Sequence, residues 1–206
     1  RFLTGLEGIP DGTVIGAPVV GFDAQPPGRL KAVALAEIAA AEAVADAGLD
    51  FGPRSRHAID RDRCGCAQSS HMGDTRWISE QCGRPRDAAA VSWWEQMFPC
   101  SAGTAIADRY GLGGPCISHS AACASGLVDF LSAVRTIADG QADLMLAGAA
   151  EVIHPLLVAG FEQMRVLAHH ADPSQACRPF DAARTGFVMG EGAAVLIVER
   201  LSHALA

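Results

Sequence analysis

Between residues 115 and 149 a strand, a turn of small residues, a helix and a second strand follow one another without a break, and no other stretch of the chain constrains its fold as tightly. Residues 116–121 (CISHSA) read as a short strand, and 124–139 (ASGLVDFLSAVRTIAD) place apolar residues at the spacing of an amphipathic helix. Residues 142–149 (ADLMLAGA) form an apolar run of strand length. A second such run lies within 187–198 (FVMGEGAAVLIV) and is reached through Gly190, Glu191 and Gly192. Upstream, the Ala-rich stretch 30–48 predicts a helix stopped by Gly48, and 101–110 predicts a shorter one ended by the glycines that precede Pro115. Residues 62–67 read as a short strand and 168–186 as a polar loop. Strands alternating with helices specify an α/β architecture. Residues 68–99 carry no clear period; Trp77, Trp93 and Trp94 there read as core and interface packing.

The chain has 206 residues, half of them hydrophobic, which suffices for one sizeable domain or two small ones. No tandem repeat is present, and no apolar run is long and charge-free enough to span a bilayer. The start at Arg1-Phe2-Leu3 shows neither an initiator Met nor a signal-peptide pattern, so a fragment is expected. A net charge of -7 argues against generic nucleic-acid binding, and the arginine-rich stretch over 54–86 reads as solvated surface. The seven cysteines are odd in number and irregular in spacing, which predicts reduced, cytoplasmic thiols. Cys64 and Cys66 would share one face of a strand; a zinc site needs two further ligands, none is near in sequence, and no metal is assigned. The glycines at 111–114 lack the spacing of a dinucleotide fingerprint, and a strand follows them where a helix should begin.

The stretch 115–126 (PCISHSAACASG) carries the chemistry. Small residues around Cys123 let the backbone turn sharply and let a substrate approach. At the start of a helix, unpaired N–H groups and the positive end of the helix dipole favour a thiolate, and the same N–H groups can receive an oxyanion. A thiol suits acyl transfer because it exchanges with thioesters and is intrinsically nucleophilic. From spacing alone, a buried cysteine packing the strand end remains an equal reading.

Residues 115–126 resemble the active-site strand and turn of the β-ketoacyl synthases, with Ala121 where the family commonly has Thr and Ala124 where it has Ser or Thr. Three further motifs follow in family order: 142–151 (ADLMLAGAAE), 161–168 (FEQMRVLA), and Arg178-Pro179-Phe180-Asp181 followed by 186–193 (GFVMGEGA). The resemblance is strong over 111–206, moderate over 29–49 and weak over 50–100. It implies a thiolase-like α/β fold, of which residues 1–206 would be the N-terminal synthase domain. That domain would be a mixed five-stranded sheet between helices, lacking the family's first strand and its C-terminal half. It implies Cys123 as the acyl acceptor with its own N–H as one oxyanion donor, and no cofactor. It makes Phe161 an acyl-pocket wall or ordinary core packing. The implied partner is an acyl carrier protein bearing phosphopantetheine thioesters. Arg29, at a position that is basic in the family, and its neighbour Lys31 are candidates for docking it. The family also implies a homodimer through strand 116–121.

The family's decarboxylation step uses two His and a Lys of the second half, and none of this chain's seven histidines lies in a matching motif. His119, four residues before Cys123, either approaches the thiol along the strand or serves structure. Two further readings stay open: a non-catalytic partner subunit, which in the family typically carries Gln at the nucleophile position, and a half-domain with an interaction role. Whether the pathway makes fatty acids, polyketides or another lipid is not encoded in these motifs.

Overall fold

The computed structural model describes residues 1–4, 9–22, 29–52, 59–71 and 96–205. Trp77, Trp93, Trp94, Cys82, His57 and the arginines at 54, 56, 76, 84 and 86 lie outside the described residues. The chain divides into two compact units. The larger comprises Gln25–Asp74, Asp87–Glu151 and Ala193–Ala206; the smaller comprises Arg1–Ala24, Thr75–Arg86 and Val152–Gly192.

In chain order the strands are β1 (Gly16–Ala17), β2 (Cys64–Ser69), β3 (Cys116–Ile117), β4 (Leu144–Glu151), β5 (Met189–Gly190) and β6 (Gly192–Glu199). The helices are α1 (Lys31–Asp46), α2 (Ser101–Tyr110), α3 (Ser125–Ala138), α4 (Pro155–Gln163) and α5 (Leu201–Ala204). The larger unit is built on a four-stranded sheet in the order β3-β2-β4-β6, with β2 parallel to both its neighbours. Parallel strands are covered on both faces by helices and read as apolar runs, and side chains alternate between the faces. Cys64, Cys66, Leu144 and Leu146 accordingly point into one core with Ala36 and Ala40 of α1 and Ile106 of α2. Ala67, Met145 and Ala147 point into the other, with Ala133 and Phe130 of α3. Gly148 of β4 lies against β6 so closely that a Cβ would stand 1.9 Å from the Ala194 carbonyl oxygen.

Three expectations need correction. The strand expected over 116–121 ends at Ile117. Beyond it, main-chain N–H groups are taken by side chains: His119 donates to Asp129 and Ala121 to Ser125, so a ladder is replaced by local bonds. The helix after it, α3, is not amphipathic in the expected sense. It buries Ser125, Asp129, Ala133 and Thr136 and leaves Leu127, Leu131 and Val134 exposed. Helix α4 falls where no helix was expected. Pro155 supplies its first turn, and the buried His154 caps it by accepting the Leu156 N–H on Nδ1 at 3.1 Å. Of the five strands implied for the sheet, the described residues supply four.

The smaller unit pairs β1 with β5 in parallel and packs Leu3, Val14, Val158 and Leu167 together. Glu191, just past β5, accepts from the backbone N–H groups of Val19 (2.9 Å) and Ile153 (3.1 Å) and so ties two distant segments together.

In the larger unit an ion pair joins three segments. Arg63, just before β2, meets Asp143, just before β4, through Nε at 3.0 Å and Nη2 at 3.1 Å, and Arg200 after β6 lies 3.3 Å from the same carboxylate. Hydrogen bonding from Arg63, opposed by desolvation and aided by the charges of Arg63 and Arg200, holds the Asp143 carboxyl below the usual aspartate range. A carboxyl depressed on folding adds stability that is fully present above its unfolded pKa of about 3.9 and is lost as pH falls through the lower folded value. Asp143→Asn should therefore lower the urea midpoint at pH 7, and the gap to the parent should close as the pH is taken below about 4. A gap of constant size from pH 7 to pH 2.5 would show that the pair contributes no charge-dependent stability.

Candidate active site

Cys123 stands in a single turn of 3-10 helix, Ala122–Ala124, between the strand end and α3. The sharpness of this turn is concentrated at Ala122, whose φ of 49° lies in the left-handed region that residues with a side chain avoid. A methyl group is the least costly side chain to hold there. Ser125 locks the turn: its Oγ accepts from the Ala121 N–H at 3.0 Å and donates to the Ala122 carbonyl at 2.7 Å. The Ala124 N–H closes onto the Ala121 carbonyl at 3.1 Å. Gly126 then allows α3 to lie directly on β4, where a Cβ would come within 2.8 Å of the Ala149 Cβ. Cys123 is left exposed at the front of a 14-residue helix.

The other predicted residues are placed differently. Phe161 belongs to the smaller unit, is half-buried against the Leu3 core, and meets Phe187 edge-on at 5.2 Å between ring centroids. Arg29 is paired within the larger unit to the buried Glu37, Nη2 to Oε1 at 3.0 Å. Lys31 is the first residue of α1. The ring of His119 is turned to side chains of α3. Its ring Nδ1 lies 2.7 Å from Asp129 Oδ1, and its Nε2 lies 3.4 Å from Ser132 Oγ. Among the remaining histidines His154 is a helix cap, His203 lies 2.7 Å from Glu199, and His169 lies 3.7 Å from Glu162.

Asp129, Ser69 and Ser125 were not singled out in the sequence. Asp129 is fully buried and also accepts from Ser69 Oγ at the end of β2. The only signal for it was negative: a lone acid on a helix reads as marking the solvent face, and here the helix is turned the other way.

The described cysteines differ in what they can do. Cys64 and Cys66 are buried in the sheet. Burial pushes the Cys64 thiol up to about 11 and the Cys66 thiol higher still. Cys116 is raised as well, first by desolvation and then by Cys100 and Asp108. Cys100, Cys116, Cys123 and Cys177 are exposed. Limited iodoacetamide treatment of the folded protein, read by peptide mapping, should label Cys123 first. Cys64 and Cys66 should stay protected at neutral pH. Labelling of Cys123 no faster than that of Cys64 or Cys177 would remove it as the nucleophile.

The family profile described as "Beta-ketoacyl synthase, N-terminal domain" matches residues 31–204. The 3-oxoacyl-[acyl-carrier-protein] synthase 2 of Coxiella burnetii is 37% identical over 175 residues, covering 80% of this chain and 40% of the relative. The crystal structure of a β-ketoacyl synthase from Burkholderia phymatum superimposes with a TM-score of 0.79 at 32% identity, over 92% of this chain and 48% of that one. The ketosynthase solved with a type II polyketide synthase acyl-carrier protein and bound to a hexaketide matches with a TM-score of 0.72 at 30% identity, over 86% and 45%. The chain thus spans less than half the length of these relatives. A match to the family profile over most of the chain means that this chain belongs to the β-ketoacyl synthase family.

Proposed function

We propose that this chain is the acyl-accepting, N-terminal domain of a β-ketoacyl-acyl carrier protein synthase, with Cys123 as the nucleophile. The observation that carries this reading is the exposed thiol at the front of α3, held there by a strained Ala122 and a Ser125 lock. The Cys123 sulfur attacks the carbonyl carbon of a phosphopantetheine thioester. Charge develops on the carbonyl oxygen, where N–H groups at the helix start, that of Cys123 among them, can receive it. The carbon–sulfur bond to the carrier then breaks, the carrier thiol leaves with a proton, and the acyl group remains on Cys123. In the condensation step malonyl-carrier protein loses CO2, the resulting carbanion attacks the acyl carbon, and the Cys123 sulfur is the leaving group. Decarboxylation is assigned to the His and Lys residues of the family's second half.

A carrier protein is the partner in this reading, and carriers of this kind are acidic, so docking calls for local positive charge. Arg29 and Lys31 are proposed to contribute, Arg29 with a side chain 39% exposed beside its Glu37 partner. A second supply of positive charge lies in the smaller unit, where Arg165, Arg178 and Arg184 line an open groove of about 750 Å³. Phe161 is proposed as an acyl-pocket wall, its ring already seated edge-on against Phe187. The location proposed is cytoplasmic, in keeping with six described cysteines that are all free thiols. Among the described residues no helix is long and apolar enough to cross a membrane. Cys123 separates this reading from a non-catalytic partner subunit, which would carry Gln there. The relatives carry names of both a 3-oxoacyl-[acyl-carrier-protein] synthase and a polyketide ketosynthase, and the reading covers fatty acid or polyketide synthesis.

Incubation of the intact protein with an acyl-acyl carrier protein should add one acyl mass to the peptide containing Cys123, released by neutral hydroxylamine. Cys123→Ala should abolish the adduct. An adduct on another cysteine, or none on a folded protein, would defeat the proposal.

The assembly proposed is a homodimer. β3 is the terminal strand of its sheet, paired with β2 on one side, and among the described residues no strand pairs with its other side. An open edge free of Lys and Pro is an association site, and pairing across a two-fold axis would satisfy it. Sedimentation of the intact protein should give a dimer, and Cys116→Pro should weaken it at least about ten-fold by removing the N–H that faces the open edge. A stable parent monomer would rule this assembly out.

A further inference from the structure

We infer that Asp129 is the positioning residue of the acyl-accepting turn; this rests on the reading of Cys123 as the acyl acceptor. Asp129 is fully buried in α3, six residues after Cys123, and takes no part in the chemistry proposed above. Its two oxygens serve different elements. Oδ2 accepts from Ser69 Oγ, the last residue of β2. Oδ1 accepts from the His119 main-chain N–H at 3.2 Å and lies 2.7 Å from His119 Nδ1. The outer nitrogen of that ring is in turn 3.4 Å from Ser132 Oγ, one helical turn beyond Asp129.

One side chain on α3 therefore grips the end of the central strand and the segment leading into the nucleophile turn. The segment needs such a grip. It leaves the sheet after Ile117, so no ladder holds it, and three residues past His119 it must enter the unfavourable φ of 49° at Ala122. Strained backbone persists only where its surroundings over-determine it. Ser125 holds the turn from the helix side, and Asp129 holds it from the strand side through His119. A buried carboxylate accepting from three groups is a costly device unless fully partnered, and here each partner belongs to an element that places Cys123. Ser132 lies inside a helix and not at a turn, so the Ser132–His119–Asp129 series orients a ring and does not present a nucleophile.

The test compares Asp129→Ala and Asp129→Asn in the intact protein by iodoacetamide labelling. The rate at Cys123 is taken relative to that at exposed Cys177 in the other unit, and protection of buried Cys64 and Cys66 reports that the fold is kept. Asn can still accept from His119 and donate to Ser69 Oγ, whereas Ala can do neither. The expected result is a drop of about five-fold in the Cys123 to Cys177 ratio for Asp129→Ala, with rescue to within about two-fold by Asp129→Asn. An unchanged ratio in a folded Asp129→Ala protein overturns the inference, as does a drop that Asn fails to rescue. If Asp129→Ala exposes Cys64 and Cys66, His119→Ala decides, because it removes the ring and leaves the Asp129–Ser69 bond. A drop of about two-fold is then expected, and no drop overturns the inference. Labelling needs no carrier protein, so failure of acyl loading would sink the proposed function while leaving this test to be read on its own.

Discussion

The close seat of α3 on β4 fixes most of what matters in the larger unit. A Cβ at Gly126 would stand 2.8 Å from the Ala149 Cβ, so only glycine lets the first turn of the helix lie on the strand. With the helix that close, its buried face has room for little beyond Ser125, Asp129, Ala133 and Thr136. Larger side chains are forced outward, and Leu127, Leu131 and Val134 are exposed as a result. The same proximity brings Asp129 within reach of Ser69 and His119 and brings the front of the helix against the end of the strand. The chain has room for only a sharp turn there. Its sharpness falls on Ala122, and Cys123 is carried to the exposed corner.

Much of this was legible in the residues, and what failed to show did so for definable reasons. Helices over 30–48, 101–110 and 124–139 match α1, α2 and α3 within about two residues, because alanine content and glycine stops are local signals. Gly48 and Gly111 both adopt the positive φ that such stops require. The strands over 62–67 and 142–149 lie two residues off at their ends, which an apolar run cannot fix by itself. Period alone does not show that the strand stops at Ile117, because nothing periodic marks Ser125 and Asp129, on the following helix, as the side chains that take the Ala121 and His119 N–H groups. α4 is not legible because a histidine cap is an uncommon start signal and the stretch is short and apolar, with Gly160 inside it. Cys123 stands out as a candidate nucleophile because the requirements of one, small neighbours and a helix behind it, are themselves local. Asp129 does not stand out, because its burial depends on the helix facing a way that no periodicity rule predicts.

The motifs that carried the family resemblance divide by what they do, and the division matters for how far resemblance can be taken as chemistry. Glu191, within the 186–193 stretch, accepts from the N–H groups of Val19 and Ile153. Glu151, which closes the 142–151 stretch, accepts from the His71 N–H at 2.9 Å. Gly148 beside it exists so that β4 and β6 can approach. These are acids and glycines with the look of an active site, and each has a structural task. A backbone N–H left unpaired inside a protein costs about as much as a lost hydrogen bond, and an acid placed to take it is hard to replace. Such residues attest the fold. The proposed chemistry rests on a narrower base, the few residues from Ala121 to Gly126. There Ala122 is held against its backbone preference, Ser125 spends its hydroxyl on two backbone groups, and the Cys123 side chain stays exposed. A turn that needed only to connect a strand to a helix could relax at Ala122. Its retained strain, braced from both sides, is what a fixed position for a nucleophile would require.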